Sequence, residues 1–246
     1  MRNVFFLICI LFFSHNVMAE EIEQSKTDII LSDLASPFTT DAKYILLGGT
    51  LITTYIALNK EDFSEKAANR VAHDPPLGNY GYIGEALGWG YLNAIYTMGH
   101  LIHGYFYKKD KSLQRAEMMA DASFYTLLTT AAIKTAVKAR RPEYPEENDS
   151  FPSGHASMSF AFASVVTAEH GLYLGLPAYV IASFISVSRV NDGRHWSHDV
   201  LAGATIGASF GWGVYLNHRK KKSPFFLTIL PNADLKSATF MSAYSF

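Results

Sequence analysis

The amino-acid sequence predicts an all-α protein, a bundle of about six helices followed by a short C-terminal β-hairpin. Uncharged apolar runs succeed one another along the chain and are separated by short charged segments, and runs of this length favour helices over strands. The later runs are rich in Ala, Gly and Ser, small residues that let helices approach closely. Only near residue 223 does the pattern become strand-like. The predicted helical domain therefore covers residues 44–222.

Composition limits the classes of protein to consider. A chain of 246 residues is long enough for one domain with a sizeable core. The net charge of −1 gives no excess of positive charge for binding a nucleic acid. Hydrophobic residues make up 49% and aromatic residues 14%, which is high for a soluble enzyme and low for a protein made only of membrane helices. Cys9 is the only cysteine, so no intramolecular disulfide is possible.

The first residues predict export. Residues 1–19 resemble a signal peptide, with Arg2 in the positive region, an apolar run over 4–13 and small residues at 17–19 before the cleavage point. The apolar run is short for a membrane span, although an uncleaved anchor remains the alternative. Residues 20–43 are polar and predict an N-terminal extension with one short helix. We therefore expect a protein of a bacterial cell envelope.

The first half of the helical domain contains two apolar runs and a charged helix. Residues 44–59 are uncharged, and 60–73 are charged and compatible with a helix that Pro75 and Pro76 end. The uncharged stretch 86–107 is long enough to span a bilayer. Its two histidines, at 100 and 103, have the spacing of metal ligands, but a role in the core explains them better.

The second half predicts four more helices and the hairpin. A helix over 116–140 precedes an acidic loop over 142–152, and three apolar runs follow at 156–168, 171–188 and 200–217. Residues 223–246 contain two strand-like segments, 225–230 and 238–246, with a turn at 231–234. Two strands cannot close a barrel, so we expect this hairpin to pack on the helical domain.

The first group of candidate functional residues lies at the end of the predicted helix 116–140. Lys134 and Arg141 are seven residues apart, so two turns of helix would place both on one face, about 10 Å apart along the axis. Such a pair can hold the oxygens of a phosphate, since arginine offers two parallel donors. Taken alone, a solvated basic helix end ahead of Pro142 explains the pair at least as well.

The second group is a turn that contains Pro152, Ser153, Gly154 and His155. Proline fixes φ and glycine permits positive φ, so the turn can present backbone N–H groups to an anion. His155 adds a proton donor for a leaving oxygen. The simpler alternative is a cap for the helix that starts near residue 156. Both can hold together, because a helix N-terminus also favours an anion.

The third group contains Arg189, His195 and Asp199. On a helix, His195 and Asp199 would share one face at a spacing of four, so the carboxylate could hold one imidazole nitrogen and leave the other as a nucleophile. Arg189 could join the phosphate clamp. A lone pair of this kind is usually a surface pair, and it gains weight here because the other two groups are present.

Together the three groups resemble the signature of the type 2 phosphatidic-acid phosphatase and vanadium haloperoxidase superfamily. That signature is K-x6-R-P, then P-S-G-H, then S-R-x5-H-x3-D, and all eleven specified positions match in order and spacing. The resemblance extends over roughly residues 86–217. It implies an all-helical bundle of the type 2 phosphatidic-acid phosphatase kind, with the site at one end.

The resemblance also implies a mechanism. His195 attacks phosphorus and forms a phosphohistidine, Asp199 orients His195, and His155 protonates the departing alkoxide. Water then hydrolyses the phosphoenzyme, and neither a metal nor a cofactor is required. Five further residues hold the equatorial oxygens, where charge is concentrated in the transition state: Lys134, Arg141, Ser153, Gly154 and Arg189.

The sequence leaves the relation to the membrane open. The basic segments 108–115 and 218–222 would both be cytoplasmic if the site faced outward. However, a cleaved signal followed by spans at 44–59, 86–107 and 117–139 would place Lys134 inside. The conflict disappears if 44–59 does not cross, or if nothing crosses. We predict membrane association with the site facing the periplasm.

The expected substrate is a phosphorylated lipid or a lipid pyrophosphate. One alternative is a soluble periplasmic acid phosphatase that acts on small phosphate esters. Vanadium haloperoxidase activity is disfavoured because the chain is short for that group. A non-enzymatic envelope protein would predict that motif positions are lost, and none is.

Overall fold

The computed structural model describes residues 28–221 together with the segments 225–231 and 238–244. The predicted signal peptide lies outside the described residues. A helical segment over 28–34 comes first. Within the described part, nine α-helices follow: α1 Ser36–Thr39, α2 Lys43–Leu58, α3 Lys66–His73, α4 Gly81–Leu87, α5 Tyr91–Tyr107, α6 Asp110–Val137, α7 Gly154–His170, α8 Leu172–Asn191 and α9 Ser197–Lys221.

The predicted all-helical class is confirmed, but the helix number is larger than predicted. Six of the nine helices have 16 residues or more, and the additional ones are the short helices α1, α3 and α4. The uncharged stretch 86–107 is divided between two helices, because α4 ends at Leu87 and α5 begins at Tyr91. Gly90, the N-cap of α5, has a φ of 83°, a left-handed conformation that redirects the chain between the two helices.

Helix α6 also differs from its prediction. It begins at Asp110, where an acidic side chain favours a helix N-terminus. It ends at Val137, because Lys138 takes a left-handed conformation with a φ of 51°. Arg141 therefore lies in the following loop, and the prediction that Lys134 and Arg141 share one helix face is wrong.

Small residues hold the centre of the bundle together. Helix α7 packs against α6, α8 and α9, and its face toward α9 is in backbone contact. A Cβ atom at Gly207 of α9 would lie 2.0 Å from the carbonyl oxygen of Ser157, so only glycine permits this approach. Met119, Val165 and Val214 are fully buried in the core beside it. The abundance of Ala, Gly and Ser in these helices thus serves close helix packing, as predicted.

A buried cluster of charged residues fastens the N-terminal segment to the bundle. His218 Nε2 on α9 lies 3.3 Å from Asp33 Oδ2 of the segment 28–34 and 3.4 Å from Asp121 Oδ2 of α6. Asn217 Nδ2 donates a further hydrogen bond to Asp33 Oδ1. Despite burial, hydrogen bonds and charges from the two carboxylates raise the pKa of His218 to about 10. His218 is therefore an imidazolium at neutral pH.

Apolar side chains cover much of the surface of the long helices. Within the described part of the chain, Leu172–Asn191 is the single helix that is both long and apolar enough to cross a membrane. Helix α2 is apolar but shorter. Large hydrophobic side chains are exposed on both, among them Leu51 at 71% and Val180 at 68%.

Two extended segments follow α9. Strand β1, Phe225–Pro231, pairs antiparallel with β2, Ala238–Tyr244, and Thr228 lies opposite Met241. The turn that would join them lies outside the described residues. The hairpin and its packing on the helical domain stay a prediction.

Candidate active site

The three groups of residues singled out in the sequence meet at one end of the bundle. The loop after α6, the start of α7 and the connection between α8 and α9 are joined by hydrogen bonds. The Ser153 N–H donates to the Asp199 carbonyl at 2.9 Å, and Arg141 Nη1 donates to the Arg194 carbonyl at 3.2 Å. Residues distant in the sequence are thus held in one site.

His195 and Asp199 form a buried pair, but not on one helix face. His195 precedes α9, whereas Asp199 lies in its first turn. His195 Nδ1 is 3.6 Å from Asp199 Oδ2. The same oxygen accepts the Trp196 N–H at 2.9 Å and the Ser150 hydroxyl. The carboxylate therefore caps the start of α9 and faces His195 at once, which leaves His195 Nε2 as the ring nitrogen free for chemistry.

The surroundings of His195 keep its imidazole neutral. Burial is the main cause that lowers its pKa, and the nearby charges of Lys134 and Arg141 lower it further. Asp199 opposes this through its hydrogen bond and its charge but does not prevail. A neutral imidazole has a free lone pair, which a nucleophile needs.

The turn at residues 153–155 begins α7. The Ser153 hydroxyl accepts the Ala156 N–H at 3.5 Å, so Ser153 is the N-cap of a helix that starts at Gly154. His155 lies in the first turn against Trp89, with ring centroids 5.1 Å apart. Its Nε2 is buried and makes no hydrogen bond to the described residues. The cap and the anion site proposed for this turn are compatible, since the helix N-terminus points into the same site.

The pKa of His155 is also strongly lowered. Burial is the main cause that lowers this pKa to about 3, and the positive charge of Arg189 lowers it further. The positive surroundings that disfavour a protonated His155 are those that favour a bound anion. A phosphate dianion placed among them would raise the pKa again.

Three cations surround the two histidines. Lys134 Nζ donates to the carbonyl of Asp149, and Arg141 makes a bidentate pair with the Asp149 carboxylate at 2.8 and 2.9 Å. Arg189 is almost fully buried, and its Nη1 lies 3.5 Å from Asp192 and 3.9 Å from Glu85. Its Nε is buried without a hydrogen-bond partner among the described residues, so the guanidinium keeps a donor for a ligand.

Sequence reasoning missed the carboxylates and the hydroxyl that complete the site. Asp149 and Ser150 lie three and two residues before Pro152 of the P-S-G-H turn, and this position was the available signal. Glu85 gave no such signal, because it reaches Arg189 only through the packing of α4 on α8. Gly84 permits that packing, since a Cβ there would lie 1.9 Å from Ser188 Oγ.

A comparison with known protein families identifies the region of the chain that contains these residues. Residues 119–223 match the model of the PAP2 superfamily. This region of the chain is a PAP2-superfamily domain. The match begins within α6 and ends after α9, so the part of the chain that matches the PAP2 model holds all eight residues assigned to the site from the sequence.

Curated relatives of the PAP2 domain are lipid-phosphate phosphatases by name. The chain is 39% identical over 74 residues to a lipid A 1-phosphatase of Porphyromonas gingivalis, which is 29% of this chain and 16% of that protein. It is 42% identical over 60 residues to a putative undecaprenyl-diphosphatase of Escherichia coli, 24% of this chain and 30% of that protein. The aligned regions thus span less than a third of these two relatives.

Two solved PAP2-type structures share the fold. LpxE of Aquifex aeolicus aligns with a TM-score of 0.51 at 23% identity, over 60% of this chain and 92% of that one. A transmembrane PAP2-type phosphatidylglycerolphosphate phosphatase of Bacillus subtilis aligns with a TM-score of 0.55 at 20% identity, over 73% and 96%. At these identities the likeness concerns the fold alone.

Proposed function

We propose that the protein is a metal-independent phosphatase that hydrolyses a phosphate monoester or pyrophosphate on a lipid, through a phosphohistidine, in the cell envelope. The observation that carries this proposal is the meeting of a neutral buried His195, an anchored Asp199 and an unpartnered His155 Nε2 among three cations. A nucleophile, its orienting base and an acid are the parts that phosphoryl transfer requires.

In the first step, the lone pair of His195 Nε2 attacks phosphorus and the bond between phosphorus and the leaving oxygen breaks. Asp199 Oδ2 holds the Nδ1 side of the ring and stabilises the positive charge that develops on it. Lys134, Arg141 and Arg189 stabilise the equatorial oxygens, assisted by Ser153 and by the backbone N–H of Gly154 at the N-terminus of α7.

His155 gives its proton to the leaving oxygen in the same step. Its pKa of about 3 in the free site means that the proton must arrive with the substrate or be taken up once the dianion is bound. Water then attacks the phosphohistidine while His155, now neutral, accepts the proton of that water. Inorganic phosphate leaves together with the proton that His155 took from the water, and both histidines return to their neutral starting states.

The apolar surface supports a lipid substrate. On α8, Leu172, Leu176 and Val180 are exposed and recur every four residues, so they line one face of the helix. Such a face suits the acyl region of a membrane. The names of the two curated relatives, with lipid A and undecaprenyl diphosphate, point to the same substrate class. Membrane association with the site facing the periplasm follows as part of the proposal.

The test is phosphate release in the presence of EDTA by purified protein, with and without detergent. The substrates are phosphatidic acid, undecaprenyl pyrophosphate and p-nitrophenyl phosphate, and His195→Ala is the control. We expect EDTA-resistant release from a lipid, abolished in the variant. Release from p-nitrophenyl phosphate alone by detergent-free protein would favour the small-ester phosphatase instead. No release from any substrate would overturn the proposal.

A further inference from the structure

A second histidine lies beside the catalytic carboxylate. His198 is in the first turn of α9, next to Asp199, and its Nε2 lies 3.4 Å from Asp199 Oδ1. That oxygen is buried and makes no hydrogen bond to the part of the chain that the structure describes. A buried carboxylate oxygen without a donor is costly, and His198 is positioned to supply one.

The contacts of the two ring nitrogens together decide which of them carries the proton in His198. The Ser64 hydroxyl lies 2.8 Å from His198 Nδ1. If Nδ1 carried the proton, the lone pair of Nε2 would face the negative Asp199 oxygen, which is unfavourable. With Ser64 donating to Nδ1, the proton is on Nε2 and points to the carboxylate. Burial also lowers the pKa of His198, in keeping with a neutral ring.

The position of His198 is held from several sides. Ser64 is buried and belongs to a π-helical turn, Glu61–Glu65, which is 134 residues away in sequence. The rings of Trp196 and Phe151 pack near the imidazole, with centroids at 6.5 and 6.2 Å. Trp196 is nearly parallel to it, at an interplanar angle of 7°. The ring therefore has little freedom to turn away from Asp199.

We propose that His198 is a positioning residue for the nucleophile: its Nε2–H donates to Asp199 Oδ1 and fixes the carboxylate so that Oδ2 holds His195. This inference rests on the proposed function of His195. Asp199 is then held on both oxygens, by Trp196 and Ser150 on Oδ2 and by His198 on Oδ1. Ser64 links this arrangement to the region before the PAP2 domain.

The kinetic test compares four variants. His198→Leu removes the donor, and His198→Gln keeps an N–H near the position of Nε2. Ser64→Ala removes the hydroxyl that donates to His198 Nδ1, so the proton can lie on either ring nitrogen while the ring stays in place. His73→Leu is a matched control at an exposed histidine. We expect His198→Leu to lower kcat about tenfold and to leave KM unchanged. A loss of this size is typical when a residue that orients a reactive side chain, without contacting the substrate itself, is removed. Ser64→Ala should lower kcat less, and His198→Gln should recover most of the loss.

Two results would overturn the inference. Either His198→Leu keeps the kcat of the His73→Leu control, or His198→Gln loses as much as His198→Leu, which would indicate packing alone. If His198→Leu does not fold, Ser64→Ala decides in its place, and an unchanged kcat there counts against the inference.

A measurement independent of activity separates this inference from the proposed function. The ring ¹⁵N chemical shifts of His198 report its tautomer, and we expect protonated Nε2 and an Nδ1 signal that moves in Ser64→Ala. A proton on Nδ1 would overturn the role of His198 even in an active enzyme. If the wild type released no phosphate, the proposed function would fail. The ¹⁵N spectrum would still show whether His198 Nε2 carries the proton that the hydrogen bond to Asp199 requires.

Discussion

Two buried groups of histidine and aspartate lie at different places in this bundle, and their histidines are shifted in opposite directions. His195 faces one carboxylate, Asp199, within reach of Lys134 and Arg141, and its pKa is lowered. His218 faces two carboxylates, Asp33 and Asp121, and its pKa is raised to about 10. The balance between burial and nearby charge decides which form each histidine takes.

The difference separates a reactive site from a structural one. A histidine held as an imidazolium between two carboxylates has no lone pair to offer, so it serves to join the N-terminal segment, α6 and α9. A buried neutral histidine beside one carboxylate keeps its lone pair and lies next to cations that attract an anion. Sequence spacing alone does not distinguish the two, because the partners of His218 come from elements far apart in the chain.

The largest expected effect is on activity. Replacing the nucleophile in His195→Ala should lower kcat by about 10⁴-fold or more, since groups that act as a catalytic unit fail together. Asp121→Asn, in the structural cluster, should leave kcat of the folded protein unchanged. Phosphate release from a detergent-dispersed lipid phosphate, normalised to folded protein, measures both. A comparable loss of kcat in Asp121→Asn would contradict the purely structural role of the cluster formed by His218, Asp33 and Asp121.

The second largest expected effect is on stability, through the cluster formed by His218, Asp33 and Asp121. Asp121→Asn removes one carboxylate from a buried, charged network and should lower the free energy of unfolding by about 3 kcal/mol. Denaturant or thermal unfolding in detergent measures this change. The matched control is Asp41→Asn at an exposed position, which should be close to neutral. Equal stability of the two variants would show that the His218 cluster contributes little.

His218 on one side, and His195 and His155 on the other, should also give opposite dependence of stability on pH. A raised pKa means that the contribution of His218 is complete below about pH 6.5 and is lost as pH rises toward its folded value of about 10. For His195 and His155 the folded pKa is lowered, so stability falls as pH drops below the unfolded value. His218→Gln should remove the alkaline decline in Tm and keep the acid one. An alkaline decline that persists in the variant would assign it to other groups.

The smallest expected effect concerns the donors to Asp199. Ser150→Ala removes the hydroxyl that donates to Oδ2, which leaves the carboxylate more basic and should raise the pKa of His195 slightly. We expect a loss in kcat of less than about tenfold and an acid limb of the pH–rate profile displaced to higher pH. Thr135→Ala, directly after Lys134 in the sequence and with its hydroxyl donating to the Ala131 carbonyl of the same helix, serves as control. An acid limb that does not move would indicate that Ser150 only packs.

Much of the candidate site could be predicted from the sequence, because most of its residues lie in short local motifs. Spacing within the three blocks selected His155, His195, Asp199 and the cations as candidate site residues. It failed where the backbone departs from regular helix: the left-handed Lys138 moves Arg141 into a loop, and His195 precedes α9 instead of sharing its face. Contacts made by packing alone, such as Glu85 on Arg189 and Ser64 on His198, had no local signal.

The central claim, that His195 carries the phosphoryl group, is tested most directly by trapping the phosphoenzyme. In His155→Ala, p-nitrophenyl phosphate needs no proton on its leaving group, while hydrolysis of the phosphohistidine lacks its base. Labelled phosphate should therefore accumulate on the protein as an acid-labile, base-stable adduct that maps to His195, with a burst of nitrophenol. Turnover by this variant without label on His195, or label retained when His195 is also replaced, would contradict the mechanism.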